Sequence, residues 1–454
     1  MKKSLLIAAL LAGASLVFAS AVGCGSKKNN SFVSDENKAL PDSGPLFGDA
    51  GGCKGLQCNQ KTCTGGADTT LTGTVYAPNG TLPLYNAIVY VPNATPDDLP
   101  VGATCDQCGA VTGEPLVTAL TKSDGTFELK NMPSGKDIPL VIQIGKWRRQ
   151  VTIPEVNECE ENVVKDRELT RLPRNQKEGN MPHIALTTGS CDQLGCMLPK
   201  IGIDSSEYGT QADGPDKAVH IYAGSDFNMS WPAALTLWGN ATKMKEYDML
   251  ILSCECNEAL ESKGGSSTSP AFAQMAEYLN SGGRIFTTDY QYTWYRYSAD
   301  PNIKSATAIR GGAPPGGSPM TFDSSFPKGK ALVEWLQKVG ATPTPGQLTP
   351  DIVYANIMSV DPSKAQLWST SGAPLPGPRL FTINTPVGVP ADQQCGKGVH
   401  IDAHLNNSSD HVDVTFPAGC GSALRPGENL LAFFFFDLAS CIQDDTQEPQ
   451  APVK

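Results

Sequence analysis

The stretch YDMLILSCECNE, residues 247–258, and the stretch SPAFAQMAEYLNSGGRIFTTDY, residues 269–290, decide the fold class. Met249 to Ser253 form a short, nearly wholly apolar run, the pattern of a strand covered on both faces. Ser269 and Pro270 mark a helix start, a capping hydroxyl followed by proline at the first helical position. Phe272, Met275, Ala276 and Leu279 fall at i, i+3, i+4 and i+7, which predicts one buried helical stripe. Gly282 and Gly283 end that helix, and Arg284 to Thr288 resume a strand. Strand, helix and strand with a short return predict a βαβ unit of a parallel sheet.

The same alternation extends on both sides. The run beginning at His183, the run Val219 to Tyr222 and the helical spacing of Leu235 to Trp238 precede it. Pro327 to Gly340 reads as a helix with Leu332, Trp335, Leu336 and Val339 on one face, and Leu367 and Arg379 open further strands. Glu428 to Cys441 reads as a closing helix, apolar nearly all round and too short for a membrane, which needs about 20 residues. Residues 183–442 therefore predict a doubly wound α/β domain, with a polar, frayed tail at 443–454.

Upstream, residues 69–154 alternate apolar and polar residues between Gly, Pro and Asn punctuation, and Asp124-Gly125 is a strong turn signal. This predicts a small antiparallel β-sandwich. Residues 53–66 form a Cys-rich knot, and the charged stretch 155–182 reads as a linker. At the N-terminus, Lys2 and Lys3 precede an apolar run and then Ala21-Val22-Gly23-Cys24. A basic start, an apolar stretch and small residues before a cut describe a secretory signal over 1–23. Cys24 after Gly23 resembles the lipobox of bacterial lipoproteins. That resemblance implies a lipid anchor at Cys24, and the absence of Asp after it implies sorting to the outer membrane. Residues 24–52 are polar and aperiodic, a flexible tether.

The 454 residues carry a formal charge of −11, and removal of Lys2 and Lys3 with the leader makes it two units more negative. Such a chain has no electrostatic attraction for nucleic acid. Fourteen cysteines fit an oxidising compartment. Cys53, Cys58, Cys63, Cys105, Cys108 and Cys159 form an even set before residue 170. The seven cysteines after it, Cys395 and Cys420 among the disulfide candidates, leave at least one thiol free or bridging elsewhere. Cys105-x-x-Cys108 reads as a redox pair, half a zinc site or a structural disulfide, local or to the knot; the last is favoured.

Gly73-Thr74-Val75, Ala87-Ile88-Val89, Gly125-Thr126-Phe127 and Met132-Pro133-Ser134-Gly135 resemble the carboxypeptidase regulatory-like family. The resemblance covers about a fifth of the chain. It implies a transthyretin-type, carbohydrate-binding-like sandwich without catalytic residues. Tyr247-Asp248-Met-Leu-Ile-Leu followed by Tyr278-Leu279-Asn-Ser-Gly282-Gly283-Arg-Ile-Phe resembles the class I glutamine amidotransferase-like fold, a flavodoxin-type sheet. In catalytic members a Cys occupies the turn after the strand that follows this Gly-Gly. Here Thr287-Thr288-Asp289-Tyr290 stands there, without Cys or Ser, so the amidotransferase nucleophile is missing.

Several residues remain candidates for chemistry or contact. Cys254 ends a strand, but Glu255 and Glu258 oppose a thiolate, so a structural Cys is favoured. Asp402 and His404 alternate along a late strand and face one side, and Asp289 ends its own strand. If those ends share one sheet edge, they suit acid–base work or metal ligation. Trp147-Arg148-Arg149 suits a glycan or carboxylate, or an ordinary strand edge, and the edge is favoured. Tyr290, Tyr292 and Trp294 suit stacking on sugars, or simply cover the sheet. The leading expectation is a non-catalytic outer-membrane lipoprotein that contacts a glycan or envelope protein, with no cofactor and no metal. The alternatives are a hydrolase or metal-dependent enzyme using Asp289, Asp402 and His404, and a structural spacer.

Overall fold

The apolar runs become buried strands, as double-sided coverage requires. The computed structural model describes residues 52–105, 111–225, 230–405, 410, 412–413 and 415–452. Cys24, with the expected leader and tether, and Cys108 lie outside the described residues. The architecture is mixed α/β with several sheets.

The first seven strands are β1 (Thr70–Thr74), β2 (Ile88–Pro92), β3 (Pro115–Leu120), β4 (Thr126–Lys130), β5 (Gly135–Ile144), β6 (Trp147–Val156) and β7 (Glu161–Val163). They form a three-stranded sheet, β4-β1-β7, and a four-stranded sheet, β3-β2-β5-β6. The stretch 155–182, expected as a linker, is built into this part. It completes β6, and β7 pairs parallel with β1. Leu172 is buried, and Arg171 ion-pairs Glu178 at 2.6 Å.

The later strands are β8 (Ile184–Thr187), β9 (Tyr208–Gly209), β10 (Val219–Tyr222), β11 (Met249–Leu252), β12 (Arg284–Thr288), β13 (Thr307–Ile309), β14 (Met320–Phe322) and β15 (Gln347–Leu348). They continue with β16 (Ile352–Val353), β17 (Ile357–Val360), β18 (Gln366–Ser371), β19 (Gly377–Thr385), β20 (Gly396–Ile401) and β21 (Ala403–His404). Ten of them make one sheet in the order β15-β14-β18-β19-β20-β12-β11-β8-β10-β9. From β9 to β20 all neighbours are parallel. The strands from β19 outward pair antiparallel. The chain starts at β8, steps to β10 on one side, then returns to β11, β12 and β20 on the other. The order in which strands are added therefore reverses between β8 and β11, the kind of place where open α/β sheets hold ligands.

The helix Pro270–Asn280 forms as its sequence predicts: Ser269 accepts a hydrogen bond from the Ala271 N–H, and Phe272, Met275, Ala276 and Leu279 are buried. The helix Pro426–Ala439 is buried on every side because it joins the two halves. Phe433 stacks on Tyr85 and meets Trp335, and Phe434 meets Trp368. Phe435 and Phe436 meet Trp147 at 6.3 and 6.2 Å. Each such ring contributes roughly 1.5–3 kcal/mol by leaving water. At the β5–β6 turn, Gly145 has φ +54°, and a Cβ there would lie 1.3 Å from the Ala439 carbonyl oxygen. Only glycine allows that approach. Contacts group the chain from Cys53 onward into one unit; one apolar cluster runs from Leu71 of β1 to Ala439, and a second gathers Trp238, Phe272, Ile285 and Trp294.

The tail 443–454, expected to fray, is anchored at Asp445 and at the carbonyls of Gln443 and Pro452, while residues 446–448 are exposed. Asp445 is buried and bridges Lys328 at 2.9 Å and Lys397 at 2.7 Å; Asp437 bridges the same two lysines. Burial alone would raise the Asp445 carboxyl, but Lys328 and Lys397 outweigh it and hold the group far below the usual carboxylate range. A depressed folded pKa contributes stability that is present above about pH 4 and lost as pH falls toward the folded value. Asp445→Ala leaves two buried lysines with one carboxylate and should cost about 3–5 kcal/mol in denaturant unfolding at pH 7. A midpoint unchanged from wild type would contradict this assignment.

Candidate functional site

The aligned register of β8, β11, β12 and β20 brings their carboxyl ends to one edge. Cys254 follows β11, Asp289 follows β12, Asp402 follows β20, and His404 lies in β21. The 3.0 Å contact between His404 Nε2 and Asp289 Oδ2 joins two of the predicted residues directly. A carboxylate only accepts, so Nε2 carries the hydrogen. Cys254 Sγ donates to the same Oδ2 at 3.4 Å. Asn356, in the connection between β16 and β17, donates its side-chain N–H groups to Asp289 Oδ1 at 2.9 Å and Asp402 Oδ1 at 2.8 Å. Asp402 Oδ2 accepts the backbone N–H groups of Asn356 and Ile357 at 2.7 and 3.1 Å. Asn356 thus links Asp402 to Asp289 by hydrogen bonds, and the Asp289 charge also acts on Asp402 directly.

Asp289 has φ +37°, in the left-handed region that a non-glycine residue rarely adopts. Such a residue costs roughly 1–3 kcal/mol and persists where its surroundings over-determine it. The three donors on its carboxylate supply that constraint here. The strained turn leads into the short helical segment Asp289–Arg296, the position the amidotransferase resemblance assigns to a Cys.

The charges around this carboxylate follow from burial and neighbours. Burial pushes the Cys254 thiol well up, and the Asp289 and Asp192 carboxylates push it further, so it is a neutral donor at pH 7. The expected opposition from Glu255 and Glu258 does not operate. Glu255 ion-pairs buried Lys263 and accepts from Gln291 at 3.2 Å, and Glu258 pairs Arg296 at 2.7 Å. Burial lowers the His404 imidazole, but its hydrogen bond to Asp289 and the charges of Asp192, Asp289 and Asp351 together outweigh that and raise it. Burial raises Asp402 to about 7 against the pull of the Asn356 amide. Tyr354 is half-buried, its ring 5.1 Å from that of His404, and burial raises its phenol to about 12.

The other sequence candidates lie elsewhere. Trp147 is fully buried against the Pro426–Ala439 helix, so it offers no ring to a glycan. Arg148 Nε donates to Asn180 at 3.2 Å, and Arg149 donates to the Glu168 carbonyl at 2.7 Å. β6 is the edge strand of its sheet, as expected, and these arginines fasten the stretch expected as a linker rather than standing free in solvent. Tyr292 and Trp294 are buried, with Trp294 packed on Trp238 and Phe272 at 5.2 Å, so the aromatic stretch covers the sheet. Tyr290 alone of the three is half-exposed.

Disulfides join Cys53 to Cys58, Cys63 to Cys159, Cys105 to Cys395, Cys191 to Cys256 and Cys196 to Cys420. Cys105 therefore pairs across the chain, neither locally nor with the knot. Cys254 is the free thiol among the described residues. Asn356 and Cys191 were missed by sequence reasoning. The odd cysteine count was the one signal that a thiol such as Cys254 would stand unbridged.

No protein-family model and no curated protein matches the chain. Two solved structures are similar over a minority of it, both mutants of a Coh3ScaB–XDoc type II cohesin–X-dockerin complex from Acetivibrio cellulolyticus. They share 13% and 14% identity over 33% and 30% of this chain, and 79% and 85% of theirs. With TM-scores of 0.16 and 0.17 they carry no argument.

The raised His404 pKa has a checkable consequence. Its share of stability is fully present below the unfolded value of about 6.5 and is lost as pH rises through the folded value. An NMR titration should place the His404 midpoint above that of a free imidazole, and Asp289→Asn should bring it down. A midpoint indifferent to Asp289→Asn would mean the contact does not set the charge.

Proposed function

We propose that this protein is an exported hydrolase of the cell envelope, lipid-anchored through Cys24, whose water-activating centre is the strand-end cluster of Asp289, His404 and Cys254. The reading takes the first seven strands as a transthyretin-type sandwich. It takes the ten-stranded sheet as a doubly wound, flavodoxin-like fold, because β10, β8, β11, β12 and β20 stand in the spatial order 2-1-3-4-5. The observation that carries the chemistry is convergence: imidazole and thiol, from separate strand ends, meet on one carboxylate in a strained turn. A strained turn and convergent buried polar groups beside a topological switch are features of working sites, and this cluster has them.

Asp289 accepts the Nε2 hydrogen of His404, so it orients the ring and stabilises the imidazolium that forms when Nδ1 takes the proton of the attacking water; Asn356, which also bonds Asp402, holds that carboxylate in place. His404 presents the polarised imidazole. The substrate class is left to experiment. Chromogenic esters, amides, glycosides and phosphate esters should be tried on the mature chain. Turnover is expected in one class, with a loss of about 100-fold or more in a His404→Ala variant that keeps the wild-type melting curve. Equal turnover in wild type and His404→Ala across all four classes would overturn the hydrolase.

A second reading, contact without chemistry, draws on a different observation. Two open clefts of about 480 and 600 Å³ share Thr74, Tyr76, Thr126 and Arg167, with the Arg167 guanidinium 5.0 Å above the Tyr76 ring. A polar cleft with one aromatic wall suits an envelope glycan or a protein segment.

A further inference from the structure

We infer that Cys254, Asp289 and His404 are three ligands of a zinc-class divalent cation whose fourth position is open to water. This rests on the hydrolase reading and names what activates the water.

The donor atoms already stand near ligation spacing. Asp289 Oδ2 is 3.0 Å from His404 Nε2 and 3.4 Å from Cys254 Sγ. Ligand atoms of Cys254 and His404 lie within 4.8 Å of one another. In a tetrahedral zinc site the metal bonds run about 2.0–2.3 Å, so neighbouring donors are separated by roughly 3.4–3.6 Å. A shift of a few tenths of an ångström on the two Asp289 contacts reaches that spacing. Cys191 Sγ belongs to the same group, but its bond to Cys256 removes it as a thiolate ligand. Three protein ligands plus water is the arrangement of catalytic zinc, whereas structural zinc takes four.

The ligand types choose the metal. A sulfur, an imidazole nitrogen and one carboxylate oxygen suit zinc and disfavour magnesium or calcium, which seek oxygen. Thiolate and carboxylate together carry two negative charges, matching the ion. The supports expected behind such ligands are present. Asn356 occupies Asp289 Oδ1 and leaves Oδ2 facing the cluster, and the Cys256 N–H donates to Cys254 Sγ at 3.4 Å. Binding releases the Cys254 proton to solvent and moves the His404 hydrogen off Nε2, to Nδ1 if the ring is neutral. Where the ring is charged, that second proton also leaves. Zinc-bound water ionises near pH 7, which brings hydroxide into the range where the envelope operates.

The test is cobalt(II) titration of the full mature chain after chelator treatment. One equivalent should give four-coordinate ligand-field bands and a sulfur-to-cobalt charge-transfer band, both bleached by zinc. Cys254→Ser should abolish the charge-transfer band. Asn356→Ala keeps every ligand and should weaken cobalt binding about 10–100-fold. Circular dichroism of each variant separates lost ligation from lost folding. No cobalt spectrum in folded wild type, or a spectrum unchanged in Cys254→Ser, overturns the site. Hydrolysis that survives full chelation overturns zinc as the activator and leaves the hydrolase reading standing. A cobalt site of the expected spectrum without hydrolysis in any substrate class upholds the metal site and overturns the hydrolase.

Discussion

The Asp289 carboxylate is the node on which the strand ends depend. It accepts from Asn356, His404 and Cys254, which come from three separate segments. An ionised group removed from water must find its donors within the protein, or it costs several kcal/mol. The fold answers by bending the chain at Asp289 into the left-handed region and converging donors upon it. Each hydrogen bond to a charged acceptor contributes about 1.5–3 kcal/mol, enough in sum to offset the strained turn. The site is therefore a consequence of sheet register: slip β12 by one residue against β20 and Asp289 turns away from His404.

That register is held from outside. The Pro426–Ala439 helix packs its phenylalanines on aromatic residues from the β-rich part, the Pro327–Lys338 helix and β18. At its C-terminal end, Asp437 and Asp445 clamp Lys397 of β20 and Lys328. Lys146, in the β5–β6 turn, ion-pairs Asp248 at 2.6 Å, just before β11. Disulfides Cys191–Cys256 and Cys105–Cys395 fasten the loop after β11 and the entry to β20. The β-rich part thus braces the sheet that carries the cluster.

Much of this was legible in residue order. Strands covered on both faces must be apolar, so IALT, VHIY and MLIL declared themselves, and Ser269-Pro270 fixed a helix start. Asp289, Asp402 and His404 were legible as polar residues at the ends of apolar strands. Asn356 was not, because it sits in a short connection without periodicity and acts only through three-dimensional neighbours. Asp445 was misread for the same reason: in a polar tail a carboxylate reads as solvated, and only packing against Lys328 and Lys397 gives it a role. The burial of Trp147 was not legible, because nothing in WRRQ reveals the buried helix that begins at Pro426. Disulfide pairing depends on loop proximity, and Cys105–Cys395 spans 290 residues.

The central claim is that Asp289 and His404 act as one charged unit. A double-mutant cycle of Asp289→Asn and His404→Gln, read by denaturant unfolding at pH 6, tests it most directly. The account predicts a coupling energy of about 1.5–3 kcal/mol. Additivity within about 0.5 kcal/mol would contradict it.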